Sequence, residues 1–215
     1  MGKNLIERLN DGPVLCAEGY LFAMERRGYL QAGAFVPEVV SQLHREFIRA
    51  GSDVVQAFTY YGHREKLRII GKENLLEPLQ KNALKIAKVS RDEFKDLDLM
   101  VCGDVANTNI YDPKNKKSNL ECQKMFEEQV SWAKEAGVDF IIAETITWLE
   151  EMKIALKVIK DAKLTAVCNY SIKQNDVTRD GYTPGDACKI LEDNGADVVG
   201  LNCFRCPKMT MKLLP

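Results

Sequence analysis

Near the end of the chain, GLNCFRCP (residues 200–207) puts two thiols, Cys203 and Cys206, three positions apart just after an apolar run. A Cys-x-x-Cys spacing suits a zinc site built on thiolates and equally suits a dithiol redox pair. Two reduced cysteines without a metal are the third reading. A closed structural zinc site needs a second pair of ligands, yet the sequence has no other Cys-x-x-Cys and only 2 histidines, His44 and His63. In IIAETITW, Glu144 is a lone carboxylate closing an apolar run. A carboxylate buried there can grip a cationic group through charge-assisted hydrogen bonds, whereas at the surface it would only cap a helix or join an ion pair. Tyr60 and Tyr61, in QAFTYYGH, offer aromatic faces that attract a quaternary ammonium through the ring quadrupole, or else pack into the core with their hydroxyls satisfied. Glu18 and Gly19, in CAEGYL, form a fourth polar point directly after an apolar stretch.

These residues need elements that bring them to one place. Short apolar runs cover Val14 to Ala17, Asp53 to Phe58, Leu99 to Gly103, Phe140 to Glu144, Thr165 to Tyr170 and Val198 to Asn202, and they read as strands. Between them, PEVVSQLHREFIRAG, NLLEPLQKNALKIAK, CQKMFEEQVSWAKEAG, WLEEMKIALKVIKDA and PGDACKILEDNGA carry apolar residues at helical spacing. Strand and helix thus alternate, which is the pattern of parallel βα units. RAGSDV, EAGVDF and DNGADV recur at the helix-to-strand junctions, where Gly takes a left-handed cap and Asp begins the turn into the next strand. Glu18, Thr59 to Tyr61, Asp104, Asn107, Glu144, Asn169, Tyr170, Asn202 and Cys203 all fall after strands, where a (β/α)₈ barrel keeps its functional groups. An open doubly wound sheet would carry a Gly-rich phosphate turn after its first strand, and CAEGYLFAM has a single Gly.

Composition narrows the function classes. The 215 residues, 46% hydrophobic, suffice for one α/β domain with a sizeable core. With 30 basic and 31 acidic side chains there is no electrostatic footprint for nucleic acid, nor a basic face for a membrane surface. No apolar run reaches the length of a membrane span or a secretory signal. The 7 cysteines are an odd number scattered through the chain, so the expectation is reduced thiols in a soluble, cytoplasmic protein. His44, Trp132 and Trp148 read as packing residues on helices, and DPKNKKSN reads as solvated loop.

CAEGYLFAMERRGYLQAG, QLHREFIRAGSDVVQAFTYYGHREKL, GVDFIIAETITWLEEM and GADVVGLNC together resemble the N-terminal two thirds of the betaine-homocysteine S-methyltransferases, within the wider homocysteine methyltransferase family. The resemblance runs in order along nearly the whole chain. It implies a TIM barrel that activates homocysteine as a zinc-bound thiolate and moves a methyl group to its sulfur from betaine, giving methionine and dimethylglycine. It implies zinc binding by Cys203 as one of three thiolates, the other two belonging to a Cys-Cys pair beyond this chain. It further implies that Glu144 receives the homocysteine amino group, that Glu18 and Gly19 line the homocysteine site, and that Tyr61 and Tyr60 face betaine. No residue is assigned a catalytic role as acid, base or nucleophile. Phe35 stands where a family tryptophan adds to the same cage.

A complete barrel has eight strands in about 250 residues, whereas six βα units are countable here. Residues 1–215 are therefore expected to form one homocysteine-binding barrel domain, incomplete before its last two strands, with the zinc site incomplete as well. Two departures from the family pattern stand out. Ala17-Glu18-Gly19 replaces Asp-Gly-Gly, and the stretch before QLHREF is shorter. The alternative readings are an inactive truncated barrel that associates with a full-length homologue, and a methyltransferase with a different methyl donor. Homo-oligomers are the family's usual state; the expected partners are the small molecules homocysteine and betaine, with no nucleic acid or membrane.

Overall fold

The computed structural model describes residues 2–17, 19–29, 36–60, 62–172 and 176–213. Its helices are α1 (Leu5–Asp11), α2 (Tyr20–Arg26), α3 (Pro37–Arg49), α4 (Arg64–Ile69), α5 (Leu76–Asp92), α6 (Lys116–Ala136), α7 (Leu149–Asp161), α8 (Pro184–Asp193) and α9 (Pro207–Thr210). The strands are β1 (Val54–Gln56), β2 (Met100–Ala106), β3 (Phe140–Ile146), β4 (Thr165–Tyr170) and β5 (Val198–Leu201), and they lie in one sheet in that order. β1 pairs in parallel with β2, Val54 opposite Met100, and β4 pairs in parallel with β5, Asn169 opposite Gly200. Every residue of β2 and β3 is buried, as expected of parallel strands covered on both faces.

Several strands differ from the sequence reading at their ends: β1 keeps only Val54–Gln56 of the expected Asp53 to Phe58, and β5 stops at Leu201. β2 and β3 run on past Gly103 and Glu144 to Ala106 and Ile146, so the polar residues Asp104 and Glu144 sit inside strands rather than after them. The first expected strand, Val14 to Ala17, is reduced to an isolated bridge between Cys16 and Val54. Around that bridge the Leu15 carbonyl accepts the Val54 N–H at 3.2 Å and the Ala17 N–H donates to the Val54 carbonyl at 3.3 Å.

The chain divides into two compact units. The first comprises Met1–Asp104 and Trp132–Phe140, and the second comprises Val105–Ser131 and Ile141–Pro215. In the first, Ala17, Tyr20, Met24, Val40 and Leu43 form a core cluster, and a second cluster joins Leu67, Leu76 and Leu79, with Trp132 against it. Helix α3 begins on Pro37, whose missing N–H costs nothing at a first helical position. It packs along α5, tied by the Ser41 and Ser90 hydroxyls at 3.2 Å and by Arg45 to the Glu93 carboxylate at 2.5 and 2.7 Å. His44 is fully buried there, with Nδ1 3.2 Å from the Tyr20 hydroxyl, and burial pushes its pKa down to about 4. It is the packing residue the sequence suggested.

In the second unit α7 turns Leu149, Met152, Ala155, Leu156 and Ile159 inward at helical spacing. Helix α8 starts on Thr183, whose hydroxyl accepts the Asp186 N–H at 3.2 Å, followed by Pro184.

The junction motif has a physical job in each unit. Asp53, Asp139 and Asp197 each accept the N–H of a residue on the preceding strand segment: Leu15 at 2.7 Å, Val101 at 2.7 Å and Ala166 at 2.8 Å. Each also donates its own N–H to the carbonyl of that same residue, at 2.8, 2.8 and 3.1 Å. Gly137 and Gly195, at φ 72° and 91°, reverse the chain after α6 and α8 so that the aspartate arrives in line. The aspartate therefore fixes the register of the strand it begins. Asp139→Ala should destabilise the fold by about 1–2 kcal/mol, because the Val101 N–H loses its acceptor. Urea unfolding checks this: the midpoint should fall with the slope unchanged.

Candidate functional site

Among the sequence-derived site residues, Glu18 and Tyr61 lie outside the described residues, as does Phe35. In the first unit, Gly19 precedes α2 at φ 76°. Tyr60 is half-buried and follows Thr59, whose buried hydroxyl donates to the Asp104 carbonyl at 2.9 Å. The Gly62 N–H returns to the Thr59 carbonyl at 2.7 Å, and Gln80 donates to the Gly62 carbonyl at 2.5 Å, so the turn after β1 is tied at both sides of Tyr60. His63 closes this turn. It is buried, its Nδ1 accepts the Lys66 N–H at the start of α4, and burial, helped by the Lys66 charge, pushes its pKa down to about 4. Neutral, it caps α4 through Nδ1, while its buried Nε2 meets no hydrogen-bond partner among the described residues.

In the second unit Glu144 and the turn carrying Cys203 are brought together by a residue between them, Asn202. Its carboxamide donates to Glu144 Oε2 at 2.7 Å and to Thr145 Oγ1 at 3.0 Å, and its Oδ1 accepts the Thr145 N–H at 3.1 Å. The Thr145 hydroxyl donates to the same Glu144 oxygen at 3.3 Å. Asn202 is anchored in turn: its N–H reaches the Tyr170 carbonyl at 2.8 Å and its carbonyl accepts the Ser171 hydroxyl at 3.2 Å. Thr145 sits at φ 59°, a left-handed conformation that is a true outlier for a β-branched residue and costs on the order of 1–3 kcal/mol. The Asn202 bonds offset that cost. Two residues earlier, Gly200 faces Asn169 across the β4–β5 pair, and a Cβ there would lie 3.0 Å from the Asn169 side-chain oxygen.

Cys203 and Cys206 are both exposed thiols. Cys203 and Phe204 are left-handed at φ 60° and 53°, and the Arg205 N–H folds back onto the Cys203 carbonyl at 2.6 Å. Arg205 pins this turn, donating to the Ile172 carbonyl at 3.0 Å and pairing with Asp176 at 2.5 Å. Cys206 then caps α9. By contrast, burial pushes the thiols of Cys122 and Cys168 up to about 11 and about 12, so both stay protonated. Among the described residues no group of three or more His, Cys, Asp or Glu side chains could hold a metal ion. Cys203 can supply one thiolate, but these residues do not make up a zinc site.

Two features had little sequence signal. Asn202 was visible only as a polar residue after a strand. Glu151 reads as a surface position on an amphipathic helix, yet it is 2% exposed. Its carboxylate accepts the Thr108 N–H at 2.8 Å and the Thr108 hydroxyl at 2.6 Å, which bolts the loop after β2 to the first turn of α7. Cys122 stands beside it, 3.2 Å from the Thr108 hydroxyl. Trp148, expected on the helix, is instead the extended residue that precedes it.

The sequence profile of the homocysteine S-methyltransferase family matches residues 1–215. Betaine–homocysteine S-methyltransferase 1 of Sus scrofa is 34% identical, over 98% of this chain and 78% of that protein. The Bos taurus and Xenopus tropicalis proteins of the same name are 34% and 36% identical, over 98% and 99% of this chain but only 53% and 55% of their own length. The chain thus spans about half the length of most of these relatives. The metallated form of the homocysteine methyltransferase MmuM from Escherichia coli superposes with a TM-score of 0.78 at 19% identity, covering 93% of this chain and 78% of that one, which shows a shared fold. No described helix is long and apolar enough to cross a membrane.

Burial raises the pKa of Glu151 above its ordinary 4.5, against the lowering effect of the Thr108 hydrogen bonds and the Arg179 charge. A folded-state pKa above the unfolded one means that the native state holds the proton longer, so stability falls as pH rises from about 4.5 through the raised value. Glu151→Gln keeps an acceptor oxygen for Thr108 and removes the ionisation cost. Its urea midpoint at pH 7 should equal or exceed the parent's, with a flatter pH dependence above pH 4.5.

Proposed function

Because this chain belongs to the homocysteine S-methyltransferase family, we propose that it carries the acceptor-binding part of an enzyme that moves a methyl group from betaine to the sulfur of homocysteine. The fold is taken to be part of a (β/α)₈ barrel, with residues 1–215 as its homocysteine-binding domain. Glu144 carries the reading: it is a nearly buried carboxylate at 9% exposure on the third strand, oriented by an asparagine whose next residue is the candidate metal ligand.

Glu144 accepts the ammonium of homocysteine. Asn202 and Thr145 both donate to Oε2, so the carboxylate is turned to a fixed angle before substrate arrives. Such positioning lowers the entropic cost of bringing the sulfur in line with the methyl carbon. Gly19 and Glu18 line the acceptor site, and Tyr60 and Tyr61 hold the quaternary ammonium of betaine through their ring faces. The sulfur lone pair forms the new S–CH₃ bond as the N–CH₃ bond breaks. Its electron pair stays on nitrogen, giving dimethylglycine and methionine. Zinc, when bound, would supply the Lewis acidity that keeps the acceptor's sulfur deprotonated, and Cys203 is the ligand this chain offers.

The test is methionine formation from homocysteine and methyl-labelled betaine. Glu144→Gln should lower kcat/KM for homocysteine by about 10- to 100-fold, as expected for a lost charge-assisted hydrogen bond. Sulfur methylation absent with betaine but present with another donor would keep the acceptor and replace the donor. No sulfur methylation with any donor overturns the reading.

A further inference from the structure

In the second unit, Arg179 stands in an aromatic setting. Its side chain is exposed, and its guanidinium lies over the Trp148 ring at 5.2 Å from the centroid. Tyr111 also packs against Trp148, with ring centroids 5.7 Å apart and planes at 55°. Among the described residues the guanidinium forms no ion pair within 4 Å, although its charge is felt by the buried Glu151 carboxylate, whereas Arg205 pairs directly with Asp176. The adjacent Asp180 does not neutralise it, since its two oxygens accept the Leu149 and Glu150 N–H groups at 3.1 and 3.3 Å and so cap α7.

The loop that presents Arg179 is rigidly built. The Arg179 N–H donates to the Thr147 carbonyl at 2.8 Å, the Thr178 N–H donates to the Tyr182 carbonyl at 2.9 Å, and the Tyr182 N–H donates to the Thr178 hydroxyl at 3.0 Å. Its place is informative. Tyr111 follows β2, Trp148 follows β3 and Arg179 follows β4, all at the C-terminal ends of the strands, where Glu144 and Asn202 also lie. Thr147, which holds the Arg179 backbone, is three residues beyond Glu144, at most about 10 Å of extended chain.

We propose that Arg179, propped on Trp148, binds the carboxylate of a substrate whose ammonium or methyl-bearing end lies toward Glu144. This rests on the function proposed above. A guanidinium held over an indole ring loses less freedom when it binds than an unsupported one, and its N–H donors match both oxygens of a carboxylate. The guanidinium lies over one face of the indole, so on that face Trp148 acts as a support for Arg179. Both expected substrates carry the group: the amino-acid acceptor has an α-carboxylate, and betaine has one on its single acidic arm.

Calorimetric titration of the full chain separates the two sources. Homocysteine is compared with 3-aminopropanethiol, which lacks the carboxylate, and betaine with choline, which lacks it too. Arg179→Met keeps apolar contact with Trp148 and removes the donors; Arg179→Lys keeps the charge and loses the planar fork. The methionine variant should weaken homocysteine or betaine by about 10- to 100-fold and leave its carboxylate-free counterpart within about twofold, with the lysine variant between. Loss for homocysteine assigns the acceptor's carboxylate, and loss for betaine assigns the donor's. Wild-type binding that Arg179→Met leaves unchanged overturns this inference alone. Failure of the wild type to bind either substrate overturns it together with the proposed function. Both variants alter an exposed loop side chain, and an unchanged thermal midpoint confirms that the fold is intact.

Discussion

One carboxamide, that of Asn202, holds the strand ends of the second unit. Two local costs meet there: Glu144 is a carboxylate withdrawn from water, and Thr145 is a β-branched residue in a left-handed conformation. Either alone would be unfavourable. The same side chain answers both, giving its N–H groups to the carboxylate and the threonine hydroxyl while its oxygen takes the threonine N–H. Its backbone is fixed to β4 through Tyr170. The next residue is Cys203, so the group that orients the carboxylate also sets where the thiol-bearing turn leaves the sheet. Chemistry at this end of the unit is thus a problem of geometry solved by one side chain, with little left to rotamer freedom.

Much of this was readable from residues alone. Thr165 to Tyr170 forms a strand with the expected limits, and the five long amphipathic stretches are helices because their apolar positions recur at helical spacing. The errors have physical causes. Asp104 and Glu144 looked like strand ends because polar residues usually stop apolar runs, yet β2 and β3 continue through them, with the Glu144 carboxylate met by Asn202 and the Asp104 carbonyl by the Thr59 hydroxyl. Val14 to Ala17 has the composition of a strand, but it pairs with β1 only through the bridge from Cys16 to Val54. Trp148 fits the apolar period of the helix behind it while remaining extended.

The candidate site was partly legible. Glu144 and Cys203 drew notice by residue type and position. Their link through Asn202 joins residues 58 apart, and the Thr108 to Glu151 bolt joins residues 43 apart, distances over which local pattern carries no information. Arg179 gave no signal either, because an arginine in a polar loop is ordinary until the ring beneath it is seen. The family resemblance supplied roles for several residues where the pattern of types supplied only positions.

The aspartates at the strand roots have a consequence for how such a sheet can diversify. A slip of one residue in β3 would swing Glu144 to the opposite face, but Asp139 locks that strand to Val101 at its far end with both a side-chain and a main-chain bond. Insertions or exchanges in the loops beyond the other end are therefore mechanically insulated from the alignment of the strands. An ancestral scaffold of this kind could try new loop sequences one at a time, each acting on what is bound and none disturbing the frame beneath it.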